Sequence, residues 1–559
     1  MRWIVSSQSI SNWLPALQWL PTYRVENLRL DVVAGLSLAA FAIPESIAYA
    51  SLAEVPPVSG LYCYLVAGVA YALFGTSRQL AVGPTSALAI VVAASIAAMG
   101  GGDAGRVIAL ASALALLVGL ISIAGRPLGF GNLAYFISDT VLIGFKTGAA
   151  FYIASTQLPK LLGIHGVQGN FFERIGHVIM SLPDTHLPSL ALGVAAIALF
   201  LAFERLLPGR PTTLIVVVAA IAATAIFKLG QSGVAVVGEL PAGLPQLTLP
   251  KIHASDISEL VPTAFACFFL AYAEAISTAR SFAQKHGYDI DPDQELTALG
   301  ACNVAAGMAQ GFPVAGGMSQ TAINDMGGAS TPASLIVTSI AVGLTLLFFA
   351  PFFHNLPEPV LGAIVLMAAK HLVHFEDLRR LRTVSRQEFR ISFLAFVAVL
   401  ALGLLNGILL AAAGSLVILI ARASKPQVVV LERDAASGRF INRARHKVLG
   451  GIPGVLVLRC AGAWLYFNAD HIRRHILKLA DEERGPLTRI VLDFSMVPSV
   501  DVTAGNALRN LARALKQRGI AVEIAELRDD VFENLSAINA QLDLDHLATH
   551  KTIKDCISK

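Results

Sequence analysis

Ala81-Val82-Gly83-Pro84-Thr85-Ser86-Ala87 and Phe312-Pro313-Val314-Ala315-Gly316-Gly317-Met318-Ser319-Gln320-Thr321 are short interruptions in an otherwise apolar chain. Each puts Gly, Pro and hydroxyl-bearing residues where a hydrophobic helix would otherwise run on. Inside a bilayer no water reaches broken backbone, so such breaks persist only where they are buried in protein or line a cavity. Two of them, in separate halves of a membrane chain, point to the binding site of a transporter. The N–H groups left free at a half-helix start favour a negative charge. The pair therefore predicts an anion as cargo.

Composition agrees with a membrane protein. The 559 residues are 55% hydrophobic and 14% charged, whereas a soluble domain carries about 25% charged residues. A net charge of +4, with the basic residues dispersed, gives no basis for nucleic-acid binding. Cys63, Cys267, Cys302, Cys460 and Cys556 lie far apart, with no CxxC or Cys/His spacing, which excludes a disulfide framework or a zinc site as the organising element. Residues 1–30 mix Trp3, Trp13 and Trp19 with Arg2, Arg24 and Arg29 and show no compact apolar run. They read as a segment at a membrane surface rather than a cleavable signal.

From 31 to 424 the chain is a series of apolar stretches near the length that crosses a bilayer, clearest at 104–124, 189–207, 211–227, 333–350, 390–405 and 407–421. Their Gly and Ala content allows close helix approach. Basic residues concentrate in alternate loops: Arg78, Arg126, Arg205, Arg210, Arg280, Lys285, Arg379, Arg380, Arg382, Arg386 and Arg390 against Arg106, Lys160, Arg174, Lys228 and Lys251. The richer set marks the cytoplasmic side, which puts both termini there and makes the number of spans even. From 425 to 559 charge rises. Strands are predicted at 454–458, 489–494 and 520–525 and helices at 469–479 and 504–517, a small α/β domain.

Several segments are similar to one family. Asp31-Val32-Val33-Ala34-Gly35 followed by Ile43-Pro44-Glu45-Ser46-Ile47-Ala48-Tyr49-Ala50 resembles the first helix of the SulP (sulfate permease) anion transporters. Gly60-Leu61-Tyr62, Phe74-Gly75-Thr76-Ser77-Arg78 and Val82-Gly83-Pro84-Thr85 resemble that family's signature. The C-terminal part is similar to a STAS domain, with Asp501-Val502-Thr503 at its Asp-Ser-Thr/Ser motif. The likeness runs in order along nearly the whole chain and marks a bacterial relative of the prestin and pendrin carriers. It implies a polytopic α-helical membrane protein of about fourteen spans in two inverted repeats, the fold of the uracil permeases. A core domain then moves against a gate domain, the anion sits between the starts of two half-helices, and the protein is a homodimer. No cofactor is implied beyond a coupling proton or sodium ion.

In the first interruption Pro84 suits a helix start, where its missing N–H is no loss. Thr85, Ser86 and Ala87 then offer backbone N–H groups to the anion. In the second, Gly316 and Gly317 permit close backbone approach, and Met318, Ser319, Gln320 and Thr321 begin the helix. Glu274 is a carboxylate inside a span, a functional-site candidate by position alone, and Thr278 lies one turn on. In sodium-coupled members of the family an acidic residue and a hydroxyl here hold the cation, so Glu274 and Thr278 are the cation-coupling candidates. They would be metal ligands only under sodium coupling.

Two departures from the family pattern stand out. Glu45 replaces a common Gln, and Gln320 replaces an Arg that supplies positive charge beside the anion. Lys146 is a lone intramembrane lysine that either restores that charge, pairs with Glu274 or Glu45, or snorkels outward. Phe41, Tyr49 and Phe312 are candidates for apolar walls of the site. Thr503 matches a residue phosphorylated in STAS relatives, although Val502 and Ala504 depart from that motif.

These residues predict secondary active transport of a small anion, proton- or sodium-coupled. Sulfate is the first expectation; bicarbonate or a C4-dicarboxylate is the alternative. An uncoupled channel and a membrane sensor acting through the STAS part are the readings of another class, and the retained carboxylate argues against the channel. No GxxxxGK[ST] sequence points to a nucleotide-driven pump, and no nucleophile–base pattern points to an enzyme.

Overall fold

A computed structural model describes residues 13–559 except 132–138, 167–168, 207–211, 371, 374, 435–436, 446–450, 484, 540–551 and 558–559. Residues 1–12 of the expected surface segment, and Arg210, therefore lie outside the described residues. The chain divides into two compact units, Met1–Ser415 and Leu416–Lys559.

The first unit is helical. Its elements are α1 (Val25–Leu52), α2 (Pro57–Phe74), β1 (Val82–Gly83), α3 (Ser86–Gly100), α4 (Ala104–Gly125), α5 (Asp139–Leu162), α6 (Phe171–Met180), α7 (Leu187–Leu206) and α8 (Thr212–Ile226). They continue with α9 (Ala254–His286), α10 (Pro292–Met308), β2 (Ala315–Gly316), α11 (Met318–Met326), α12 (Ala333–Leu344), α13 (Glu358–Lys370), α14 (Phe375–Val384) and the first part of α15 (Arg386–Ala423), which runs on past the unit's end at Ser415. Among the described residues, seven helical segments are long and apolar enough to cross a membrane, and α3 and α8 are shorter apolar helices. The order long helix, second helix, two-residue strand, short helix occurs twice: α1, α2, β1, α3 and again α9, α10, β2, α11.

Two helix groups divide this unit. α1, α2 and α4 pack with α9, α10 and α12; α5 and α8 each pack with α7, and all three pack with α13. Small residues permit close crossings. A Cβ on Gly119 of α4 would lie 2.8 Å from the Gly300 carbonyl oxygen of α10, and one on Gly300 would lie 2.9 Å from that of Gly119. The stretches at 390–405 and 407–421 form one assigned helix, α15, but it bends at Gly403, whose φ of 82° is a left-handed conformation suited to glycine.

Polar side chains close the ends of the first group. Asp31 is fully buried on α1. Its carboxylate accepts hydrogen bonds from Ser330 N (2.8 Å), Thr331 N (3.1 Å) and Thr331 Oγ1 (2.6 Å) just before α12, and from the Tyr23 hydroxyl (3.2 Å). Near the N-terminus the Trp13 ring lies 4.0 Å from the Arg126 guanidinium and Trp19 Nε1 donates to the Ala72 carbonyl at 3.2 Å.

The second unit is a five-stranded sheet in the order β4-β3-β5-β6-β7. Its elements are β3 (Val428–Arg433), β4 (Phe440–Asn442), β5 (Val455–Cys460), α16 (Ala469–Glu482), β6 (Arg489–Asp493), α17 (Val502–Lys516), β7 (Ala521–Ala525), α18 (Asp529–Asn539) and α19 (Ile553–Ile557). β5, β6 and β7 run parallel, while β3 is antiparallel to β4 and β5. Alternate strand residues such as Leu456, Leu458, Ile490 and Leu492 bury against Trp464, Leu508 and Leu511. The predicted strands and helices of this part correspond to β5, β6, β7, α16 and α17; β3 and β4 were not expected.

Substituting Asp31→Ala strips the acceptor from several buried donors at once. We expect a loss of about 3 kcal/mol, read as a lower midpoint of thermal unfolding of the full chain in neutral detergent. An unchanged midpoint would remove the clamp role.

Candidate functional site

The two interruptions pair with each other. Val82 stands opposite Gly316 and Gly83 opposite Ala315 in an antiparallel ladder. Gly317 N extends it by donating to the Ala81 carbonyl at 3.1 Å. Buried side chains complete the backbone pairing. Asn303 donates from Nδ2 to the Val314 carbonyl (3.0 Å) and accepts from Val314 N (3.0 Å). Thr321 Oγ1 accepts from Ala81 N (3.0 Å) and donates to the Gly317 carbonyl (2.7 Å). Each strand leads straight into a helix: Thr85 is the extended residue before α3 and Gly317 the extended residue before α11. Both helix starts thus stand beside the pair with N–H groups that have no partner within their own helix.

A cavity of about 680 Å³ opens here between the two helix groups. α1 contributes Phe41, Glu45 and Tyr49; the interruptions contribute Thr85, Ser86, Met318, Ser319 and Gln320; α9 contributes Glu274 and Thr278. Lys146 of α5, Phe200 and Glu204 of α7 and Met367 of α13 face them. Ala87 and Thr321 are buried at the two helix starts but do not line the cavity. Thr321 spends its hydroxyl on the backbone pair instead. Phe312, expected as a wall, is fully buried behind the site, where its carbonyl accepts from Cys63 Sγ at 3.4 Å.

Two carboxylates are held differently. Glu45, 2% exposed, accepts from the Tyr49 hydroxyl (2.7 Å) and from Gln320 Nε2 (3.0 Å). The same Gln320 nitrogen donates to the Pro84 carbonyl (2.9 Å), so one amide ties α1 to both interruptions. Gln320 Oε1 is buried without a partner. Glu274 accepts from the Thr85 hydroxyl at 3.3 Å and feels the charge of Lys146 across the cavity. Lys146 is the single Lys or Arg among the described residues lining this space, against the carboxylates of Glu45, Glu204 and Glu274. Glu204 is already paired with Lys370 (2.9 Å).

Sequence reasoning missed the Tyr49–Glu45–Gln320 chain and the Asn303 brace. Gln320 is 275 residues from Glu45; Asn303 is only 11 residues from Val314, but no local pattern marks the pair, and only the one-turn spacing of Glu45 and Tyr49 gave a local signal. In the second unit Asp501 caps α17, as its position suggests: Oδ1 accepts from Ala504 N (2.8 Å) and Oδ2 from Tyr466 N (2.6 Å). Thr503 lies exposed in the first turn of that helix.

Known structures share this architecture. The murine Solute Carrier 26 family member A9 anion transporter in its inward-facing state superposes with a TM-score of 0.91 at 22% identity, covering 100% of this chain and 96% of that one. The transmembrane domain of a cyanobacterium bicarbonate transporter, BicA, superposes with a TM-score of 0.63 at 23% identity, covering 70% of this chain and 99% of that one. At such identities the likeness is one of fold: a helical membrane-embedded architecture with paired half-helix starts. The Sulfate permease family profile matches residues 28–395 and the STAS domain profile residues 446–555. A "Probable sulfate transporter" of Mycobacterium tuberculosis is 34% identical over 535 residues, covering 96% of this chain and 95% of that protein. "Sulfate transporter 4.1, chloroplastic" of Arabidopsis thaliana is 28% identical, covering 93% and 78%. The chain belongs to the sulfate permease family and carries a C-terminal STAS domain; it is an anion transporter and not an enzyme.

Gln320→Leu removes the amide that joins Glu45 to the first interruption. A loss of about 2 kcal/mol is expected from the orphaned Glu45 and Pro84 acceptors, read as a lower thermal midpoint in detergent. Wild-type stability in that variant would show that the bridge holds nothing.

Proposed function

We propose that this protein is a proton-coupled symporter of a small divalent anion, sulfate first, in the cell's inner membrane with both termini in the cytoplasm. One observation carries the reading. The Thr85 hydroxyl, at the start of α3, donates to Glu274, so a cation-accepting carboxylate and an anion-favouring helix start share one hydrogen bond. The relatives named as sulfate transporters support sulfate as cargo. Sodium is the weaker choice for the coupling ion, because Glu274 is a lone carboxylate and a metal ion needs several oxygen ligands at once.

The cycle follows from charge. With Glu274 ionised, Lys146 is attracted to it across the cavity. A proton on Glu274 removes that attraction and leaves Lys146, Ser86, Ser319 and the two helix starts to the anion. Thr85 and Ser86 at one start and Met318 and Ser319 at the other supply backbone N–H groups, with Ala87 packed behind the first start and Gln320 and Thr321 holding the second in place. Phe41 walls the site. The loaded group of α1–α4 and α9–α12, the core, then moves against the group containing α5, α7, α8 and α13, the gate. Thr278 lies beside Glu274 and would join it as a ligand only if sodium were the coupling ion. The protein works as a homodimer, and Thr503 is the candidate phosphorylation site of the STAS part.

Labelled sulfate uptake into proteoliposomes tests this reading. Uptake should rise when the outside is made more acid than the lumen, since the proton enters with the anion, and should not respond to a sodium gradient. Glu274→Gln should abolish the pH-gradient response while leaving sulfate exchange measurable. A sodium-dependent wild type, or a Glu274→Gln protein that still follows the pH gradient, would overturn proton coupling at this residue. Bicarbonate and fumarate, run in parallel, identify the cargo should sulfate not move.

Lys146→Gln should raise the sulfate KM by about tenfold, the loss of one favourable charge contact worth about 1.4 kcal/mol, and Lys146→Arg should recover most of it. Equal KM values in wild type and Lys146→Gln would show that the lysine does not serve the anion.

A further inference from the structure

α14 and the start of α15 form a second, separate site. Arg379 and Arg382 on α14 and Arg386 and Arg390 on α15 line a cavity of about 570 Å³ together with Thr383 and Phe389. The helices break at Ser385, whose hydroxyl accepts from Glu388 N (3.3 Å), and the four arginines straddle that break. Among the described residues none of the four has an ion-pair partner. The nearby carboxylate Glu388 accepts from Thr140 Oγ1 at 3.4 Å. Four guanidinium groups around one opening repel one another, and an anion with several oxygens between them relieves that repulsion through charge-assisted bonds.

Apolar surface begins where the arginines end. Phe389 lines the cavity and stacks on Phe393 with ring centroids 6.2 Å apart. Phe393 and Leu394 are 52% and 66% exposed one turn further into α15, and Val384 is 75% exposed at the end of α14. A free inorganic anion has no use for that apolar wall, whereas a lipid has a phosphate for the arginines and chains for the wall. The positive-inside rule assigns these arginines to the cytoplasmic side, where anionic lipid headgroups meet basic pockets between helices. We propose that this pocket binds the phosphate headgroup of an anionic phospholipid of the cytoplasmic leaflet, with its acyl chains along Phe393 and Leu394.

Native mass spectrometry of the full chain in neutral detergent, titrated with phosphatidylglycerol or phosphatidylcholine, tests the proposal independently of transport. Wild type should retain phosphatidylglycerol over phosphatidylcholine. The R379Q/R382Q/R386Q/R390Q protein should bind phosphatidylglycerol about tenfold more weakly, and the matching quadruple Lys protein should recover part of that binding because the charge is kept. The single variants R382Q and R386Q each lower binding by a smaller factor and serve if the quadruple protein does not fold. Equal phosphatidylglycerol binding in wild type and Gln variants would overturn the site. Displacement of the lipid by millimolar inorganic phosphate alone would overturn the lipid assignment in favour of a free anion.

Discussion

Broken backbone inside a bilayer has to find its partners within the protein, and the β1–β2 ladder is how this chain meets that demand. Two residues on each side pair, one further bond runs from Gly317 to Ala81, and Asn303 and Thr321 satisfy the edges. Because the strands are antiparallel, the helices that follow leave the ladder in opposite directions, and both of their N-termini stay beside it. The concentration of unpaired N–H groups at one depth is therefore a consequence of the pairing. Without the ladder neither half-helix has a fixed start, and the cavity has no polar floor.

The two halves are linked by reciprocal contacts. The carboxylate of α1, Glu45, takes its amide donor from Gln320, in the second interruption. The carboxylate of α9, Glu274, takes its hydroxyl donor from Thr85, in the first. Each long helix thus bonds to the half-helix start of the other half. A buried carboxylate needs donors whether or not it is ionised, so a change at either acid is transmitted to the opposite helix start by a single side chain. The equivalent places of α1 and α9 in the repeated element order make the exchange a property of the architecture.

The sequence disclosed features that break a rule and hid features that depend on distant partners. Gly83-Pro84 and Gly316-Gly317 are legible because a membrane helix has no reason to contain them. Glu274 is legible because a carboxylate in a span is costly. The α/β part is legible from the alternation and helical periodicity of β5, α16, β6, α17 and β7. Gln320 as a bridge is not legible: its partner Glu45 is 275 residues away, and the same amide in solution would satisfy any acceptor. Asp31 reads only as a family residue until Ser330 and Thr331 are brought to it. Phe312 has the composition of a cavity wall, but its neighbour Val314 is pinned by Asn303, which turns that segment into the packed interior. β3 lacks an alternating pattern, and its place in the sheet follows only from its pairing with β5.

The charges around the cavity bear on mechanism more strongly than its shape does. Glu204 is paired with Lys370, which leaves the carboxylates of Glu45 and Glu274 and the ammonium of Lys146 facing the interior among the described lining residues. With both acids ionised that interior carries one net negative charge, a poor host for a divalent anion despite two favourable helix starts. Neutralising one acid balances the lysine, and neutralising both gives a positive site. In the proposed cycle anion affinity and proton affinity must then raise each other by the same factor, as linkage requires of any two ligands sharing a field. A family member with an arginine at position 320 would begin from a more positive site and depend less on proton uptake. Glutamine at 320 with glutamate at 45 therefore shifts the burden of charge balance onto Glu274 and Lys146, which lie on opposite sides of the cavity and on different helix groups. In the proposed cycle, the attraction between those groups weakens on protonation, and this links ion binding to movement of one group against the other.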